Sequence, residues 1–126
     1  MSWRRFVFLS LLSGLLSACG PTGFPERVVE DYLLAVVSGD EVRSANFSCA
    51  DWEAQARTDA LSFTNVEAGI EGLSCQTQGE NEGTVVIACQ GTILANYEGE
   101  VQEIQLSDRR YRVVVDGGEW RVCGYP

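Results

Sequence analysis

The hydrophobic period of the chain changes once, near Leu61, and that change limits the fold more than any other feature of the sequence. Before it, Val29, Leu33, Val36 and Val37 recur at helical spacing, with Val28, Tyr32 and Ala35 widening the same apolar face. Pro25 and Glu26 suit the first turn of this helix, and Gly39 suits its C-terminal end. Asp40 is placed to cap a short second helix carrying Val42 and Phe47. Ser48 and Asp51 resemble a capping pair for a third, in which Trp52, Ala56 and Ala60 recur every four residues. After Leu61 the period becomes two and β-branched residues dominate, predicting strands over 66–78, 83–97, 100–115 and 119–124. The segments "GENEG", "YEGE" and "DGGE" between them have the composition of tight antiparallel turns. Gly91 interrupts the second strand and marks a bulge or bend. Helices followed by about four antiparallel strands is an α+β order, with the N-terminal helices packed on a strongly curved sheet.

The first residues carry a different signal. Arg4 and Arg5 precede an apolar run over 6–16, which narrows to small residues before Cys19. A charged start, a short apolar run and a small-residue site describe a secretory signal. The run is too short to cross a bilayer as a helix, which takes roughly 20 apolar residues. Leu16, Ser17, Ala18 and Cys19 resemble the lipobox of bacterial lipoproteins at all four positions. That resemblance implies cleavage after Ala18, a diacylglyceryl thioether on Cys19 and attachment to a membrane of the bacterial cell envelope. Gly20, where an aspartate would imply retention at the inner membrane, leaves the outer membrane or the cell surface open. The chain then divides into a signal peptide at 1–18, a lipidated tether at 19–24 and a single domain at 25–126.

Loss of residues 1–18 removes two of the nine basic residues and none of the 18 acidic ones, taking the net charge from −9 to −11. So acidic a surface repels nucleic acid and anionic headgroups, so lipid on Cys19, not a basic patch, would hold the domain to a membrane. The chain contains neither histidine nor lysine, which removes histidine acid–base catalysis, imidazole metal ligation, Schiff-base chemistry and the P-loop. No cofactor is implied. Four cysteines remain beyond Cys19, and an even number in an exported chain reads as two disulfides. A four-cysteine zinc site is the alternative, but no pair is spaced as Cys-x-x-Cys. Cys75 and Cys89 lie equidistant from Glu82 in the "GENEG" turn, so a hairpin sets them opposite each other and leaves Cys49 for Cys123.

The segments "PERVVEDYLLAVVSGDEVRSANFSC" and "YRVVVDGGEWRVCGY" resemble the nuclear transport factor 2-like superfamily, in particular its small bacterial lipoproteins of unknown function. The resemblance implies a sheet curled around the long helix into a cone whose interior is a pocket or a filled core. It also implies that the open sheet face can support a homodimer. Two roles follow. One is a non-catalytic module that binds a small apolar ligand or a protein, with Tyr32, Trp52, Tyr111 and Trp120 as candidate pocket residues. The other is an enzyme like the ketosteroid isomerases or polyketide cyclases, using Tyr32 with a carboxylate from Asp40, Asp51 or Asp59. The first is favoured, because no catalytic motif matches position by position. Tyr97 and Tyr125 complete the aromatic set, and Arg109, Arg110 and Arg112 form a basic cluster able to meet an acidic partner but expected rather to pair with nearby glutamates across the sheet.

Overall fold

The computed structural model describes residues 20–125 of the protein; the apolar run at 6–16, the cleavage site, Cys19 and Pro126 lie outside them. Helix α1 (Pro25–Val37) opens on a proline, whose missing N–H is not needed in a first turn, with Glu26 beside it. It closes in a Schellman motif: the Gly39 N–H bonds to the Val36 carbonyl, the Asp40 N–H to that of Ala35, and Gly39 takes a positive φ of 71°. The Asp40 carboxylate then accepts from the Arg43 N–H and starts helix α2 (Glu41–Asn46).

Helix α3 (Glu53–Leu61) follows a 3₁₀ turn at Ala50–Trp52. The capping pair expected of Ser48 and Asp51 does not form. The Ser48 hydroxyl turns back to the Ser44 carbonyl, because Ser48 is buried where the chain runs beside the last strand. Ala56 and Ala60 are fully buried, and their small side chains let α3 approach α2 closely enough for the buried Ser44 hydroxyl to donate to the Ala56 carbonyl at 3.2 Å.

One antiparallel sheet follows, built from β1 (Glu67–Asn81), β2 (Thr84–Tyr97), β3 (Glu100–Gln105), β4 (Arg110–Asp116) and β5 (Glu119–Val122). The expected curled sheet of about four strands is present, and the run expected as one strand over 100–115 divides at a 3₁₀ turn, Leu106–Asp108, where Leu106 drops into the core, making five. Strand β1 pairs along one side of β2, while β3 and β4 share its other side in registers offset by one residue. The hairpin turns are Glu82 with Gly83, Glu98 with Gly99, and Gly117 with Gly118, all at positive φ, the pattern of type I′ turns whose twist matches that of the strands.

Two register shifts in the β1–β2 ladder bend the sheet, and Gly91 sits opposite the first. Its φ is 124°, and a Cβ there would lie 2.8 Å from the Glu71 carbonyl oxygen. The bulge expected at Gly91 is thus a place where two backbones touch. The curl brings the inner faces of the strands around α1: Val29, Tyr32, Leu33 and Val36 pack against Ile87, Ile93, Tyr111, Val113 and Val122.

Two disulfides staple this arrangement. Cys75 and Cys89 are direct cross-strand partners with Cα atoms 4.0 Å apart, and Cys49 joins Cys123 across 74 residues of chain. The chain-entropy model assigns them roughly 3 and roughly 4.5 kcal/mol respectively. The second also fixes an edge. The Cys49 N–H donates to the Val122 carbonyl and the Val122 N–H to that of Phe47, so the 47–49 segment lies along β5 as a short parallel addition. Further along, the Thr22 N–H donates to the Gly118 carbonyl, so the segment expected as a flexible tether is already paired to the sheet at Thr22.

Gly91→Ala is expected to destabilise the fold by about 2–3 kcal/mol, since the added carbon meets a backbone oxygen that cannot move without breaking the bulge. Chemical denaturation compared with the neutral exposed control Gly20→Ala checks this. A loss below about 0.5 kcal/mol would mean that the curl does not depend on that contact.

Candidate functional site

At the C-terminal half of α1 the curled sheet stands off the helix and leaves a cavity of about 360 Å³, within the range of about 300–1,000 Å³ usual for small-molecule sites. Leu33, Val36, Phe63, Ile93, Ile104 and Leu106 make its apolar wall. The opposite wall is polar and aromatic, formed by Tyr32, Tyr111, Tyr125, Asp59 and Arg109.

Each polar group arrives by a local feature of the chain. Tyr32 lies on the buried face of α1, and Asp59 comes from the last turn of α3. Tyr125 is directed inward by Gly124, whose φ is 110° and whose missing Cβ leaves room for the Trp52 ring at 3.1 Å. The neighbouring Cys123 is held by its disulfide, so this turn has a fixed origin. Arg109 leaves the 3₁₀ turn that separates β3 from β4.

Asp59 is the hub. Its Oδ2 accepts from the Tyr125 hydroxyl at 2.6 Å and from the Tyr32 hydroxyl at 3.3 Å, while Oδ1 accepts from Gln55 Nε2 at 2.8 Å. The Tyr32 oxygen accepts in turn from Trp52 Nε1 at 3.1 Å, and the Tyr125 oxygen from Arg109 at 3.2 Å. The Arg109 guanidinium also stacks 4.6 Å above the Tyr125 ring. Edge-to-face contacts of Tyr125 with Trp52 and Tyr111, and of Tyr111 with Tyr32, lock the rings together.

The electrostatics follow from this burial. It pushes the Tyr32 hydroxyl far above the ordinary value of 10.0, the Trp52 bond pulling it partly back and the Asp59 charge adding to the rise. Burial likewise raises Tyr125, reinforced by its bond to Asp59. Tyr111 is raised by burial and held back by Arg109.

Of the four expected pocket residues, Tyr32 and Tyr111 line the cavity and Trp52 supports it through Tyr32. Trp120 does not belong to it. It lies on the inner side of β5, like Val122, but two residues nearer the hairpin, and borders a separate surface hollow with Phe24 and Phe47 at the start of α1. Asp40 is a helix cap and Asp51 is exposed in a 3₁₀ turn, so Asp59 alone of the three candidate carboxylates meets Tyr32. The basic cluster does not pair with glutamates as expected: Arg109 turns to Tyr125 and Arg110 to Gln78, because the strand break points them to opposite sides. The positive φ required at Gly124 was the available sign that Tyr125 would be redirected, and it reads as an ordinary glycine without a structure. Among the described residues no group of three His, Cys, Asp or Glu side chains converges as a metal site, and no helix is long and apolar enough to cross a membrane.

No family model and no curated protein sequence matches the chain. Among solved structures, it is similar to the designed protein Rd1NTF2_05 in a multiply substituted form, at 14% identity and a TM-score of 0.48, covering 79% of this chain and 95% of that one. It is also similar to a de novo beta sheet design protein solved by solution NMR, at 10% identity and a TM-score of 0.46, covering 81% and 85%. At these scores the likenesses carry no weight for function, and the class assignment rests on the strand order and packing above. The protein is an α+β domain in which helices precede a strongly curled antiparallel sheet.

Two outcomes are expected from the network. Tyr32→Phe should cost about 1–3 kcal/mol, because it leaves the Trp52 N–H without its acceptor and removes a donor from Asp59; a denaturation midpoint equal to wild type would contradict the network. Stability should also fall as pH rises past the ordinary tyrosine value of 10.0. The unfolded tyrosines ionise there while folded Tyr32, Tyr111 and Tyr125 stay protonated, so the unfolded state releases more protons. Thermal melts across that range, followed with tyrosinate absorbance, check the sign.

Proposed function

We propose that the chain is an exported bacterial lipoprotein, anchored to the cell envelope through Cys19, whose nuclear transport factor 2-like domain is a non-catalytic module binding a small apolar ligand in the cavity beside α1. The observation that carries the binding reading is that Asp59 is engaged by the wall's own donors on both of its oxygens. A proton-transfer catalyst must present its acid or base to the substrate. Here the carboxylate accepts from three side chains on its two oxygens, and both Tyr32 and Tyr125 direct their protons to it. These groups hold one another and leave a rigid wall against which an apolar body can pack. The competing enzyme reading draws on the same 3.3 Å contact of Tyr32 with Asp59, which supplies an acid and a base in one apolar site.

The pairing of Thr22 with Gly118 supports a short leash in this reading. Two residues separate Cys19 from Thr22, a reach of at most about 11 Å when extended. The β4–β5 turn then faces the bilayer, while Val36 at the cavity lies about 18 Å further along α1 from Phe24.

Cys19→Ser should yield a soluble unlipidated form or an uncut precursor, read by detergent partitioning and intact mass. Unchanged partitioning with unchanged mass would remove the anchor. For the domain, a short-chain alcohol such as hexanol should bind and raise the melting temperature, and Ile93→Asp should abolish that shift. Turnover of a bound ligand, lost in Tyr32→Phe, would replace the binding module by the enzyme.

A further inference from the structure

We propose that the ligand of this cavity carries a single carboxylate, which pairs with Arg109 while its apolar body fills the wall of Leu33, Val36, Phe63 and Ile93. The inference rests on the binding-module reading and adds the chemical class of what is bound. Its starting point is a guanidinium that the protein orients but does not neutralise. The ion pairs among the described residues involve Arg27 and Arg121; Arg109 takes part in none of them, although the chain carries 18 acidic residues.

Arg109 is solvent-exposed at the cavity, yet two contacts restrict it. One of its five donors bonds to the Tyr125 hydroxyl, and its plane rests on the Tyr125 ring, so its side-chain freedom is already restricted before anything binds. A fork so placed matches a carboxylate in two parallel hydrogen bonds.

The same geometry disfavours a cationic ligand. Three tyrosines and a carboxylate around an apolar space resemble a cage for ammonium groups, but the rings meet edge to face and Arg109 already occupies the face of Tyr125. Asp59 keeps its negative charge but engages both its oxygens with Tyr32, Tyr125 and Gln55, and Asp108, the other carboxylate lining the cavity, forms no ion pair with Arg109 among the described residues. Arg109 is therefore the cationic side chain lining the cavity, with donors left over for an anion, inside a domain whose net charge is negative. That contrast confines an anion to one orientation, head at Arg109 and tail toward Ile93.

The test is calorimetric titration of the full chain as the cell makes it, carried in lipid nanodiscs where it is lipidated, against empty nanodiscs. The probes are hexanoate, hexanol and hexylammonium, which share one tail. Hexanoate is expected to bind about ten- to hundredfold more tightly than hexanol, and hexylammonium more weakly than either. Arg109→Gln should abolish the preference for hexanoate over hexanol, read as the ratio of the two affinities within the variant. If that variant does not fold, Arg109→Lys serves instead, keeping the charge but not the planar fork, and should reduce the preference several-fold; full retention of the preference in either folded variant overturns the pairing. Hexanol binding as well as hexanoate, or hexylammonium binding best, overturns the carboxylate alone. Failure of all three probes to bind overturns the binding module with it.

Discussion

The contact on which the rest of the structure depends is the approach of the Glu71 carbonyl to Gly91. Because no side chain intervenes there, β2 bends in its middle while staying paired to β1 on both sides of the bend. A straight strand of equal length would lie flat against α1 along its whole face. The bend instead lets one half of the sheet close on the helix, through Ile87 and Val113, while a cavity bordered by Ile93 and Ile104 remains beside the other half. The same bend accounts for the break between β3 and β4, since a partner strand on the outer side of a bent strand must lose register, and the Leu106–Asp108 turn takes up the one-residue offset. Cavity and strand break are thus two results of one backbone feature.

The second half of the design is how the open end of that space is kept from collapsing. A cavity lined only by aliphatic side chains gains by closing, because every void forfeits dispersion contacts. Here one wall is a hydrogen-bonded lattice in which Asp59 receives Tyr32, Tyr125 and Gln55, and Trp52 and Arg109 fix the two tyrosine oxygens from behind. Moving the Tyr32 or Tyr125 ring breaks part-buried hydrogen bonds, and that cost resists collapse. The Cys49–Cys123 disulfide belongs to this device, because it anchors the strand end from which Gly124 turns Tyr125 inward. A staple two residues before Tyr125 thereby sets the position of one of the cavity's walls.

Much of this was legible in the residues. The helices, the turns, the bulge at Gly91 and the opposition of Cys75 to Cys89 all depend on neighbours along the chain or across one hairpin, where spacing translates directly into geometry. Tyr32 was recognisable as a residue facing the interior for the same reason. Trp120 was misplaced because alternation reports which face of a strand a side chain takes and says nothing of how far along the sheet the cavity lies. Arg109 was misjudged because the strand break that redirects it arises from β2, a different strand.

The sequence by itself determined the order of helices before strands, the positions of three tight turns and the chemistry the chain lacks, since periodicity, turn residues and composition are properties of local stretches. It also contained every member of the hydrogen-bonded wall, but scattered over Tyr32, Trp52, Asp59, Arg109, Tyr111 and Tyr125, the first and last 93 positions apart. Only the tertiary structure decided that Asp59, rather than Asp40 or Asp51, receives the tyrosines and that Arg109 stands over Tyr125. The reason is physical: hydrogen bonds of about 3 Å between residues far apart in the chain depend on how sharply a sheet bends and where a helix crosses it, and those quantities are set by the packing of all the elements together.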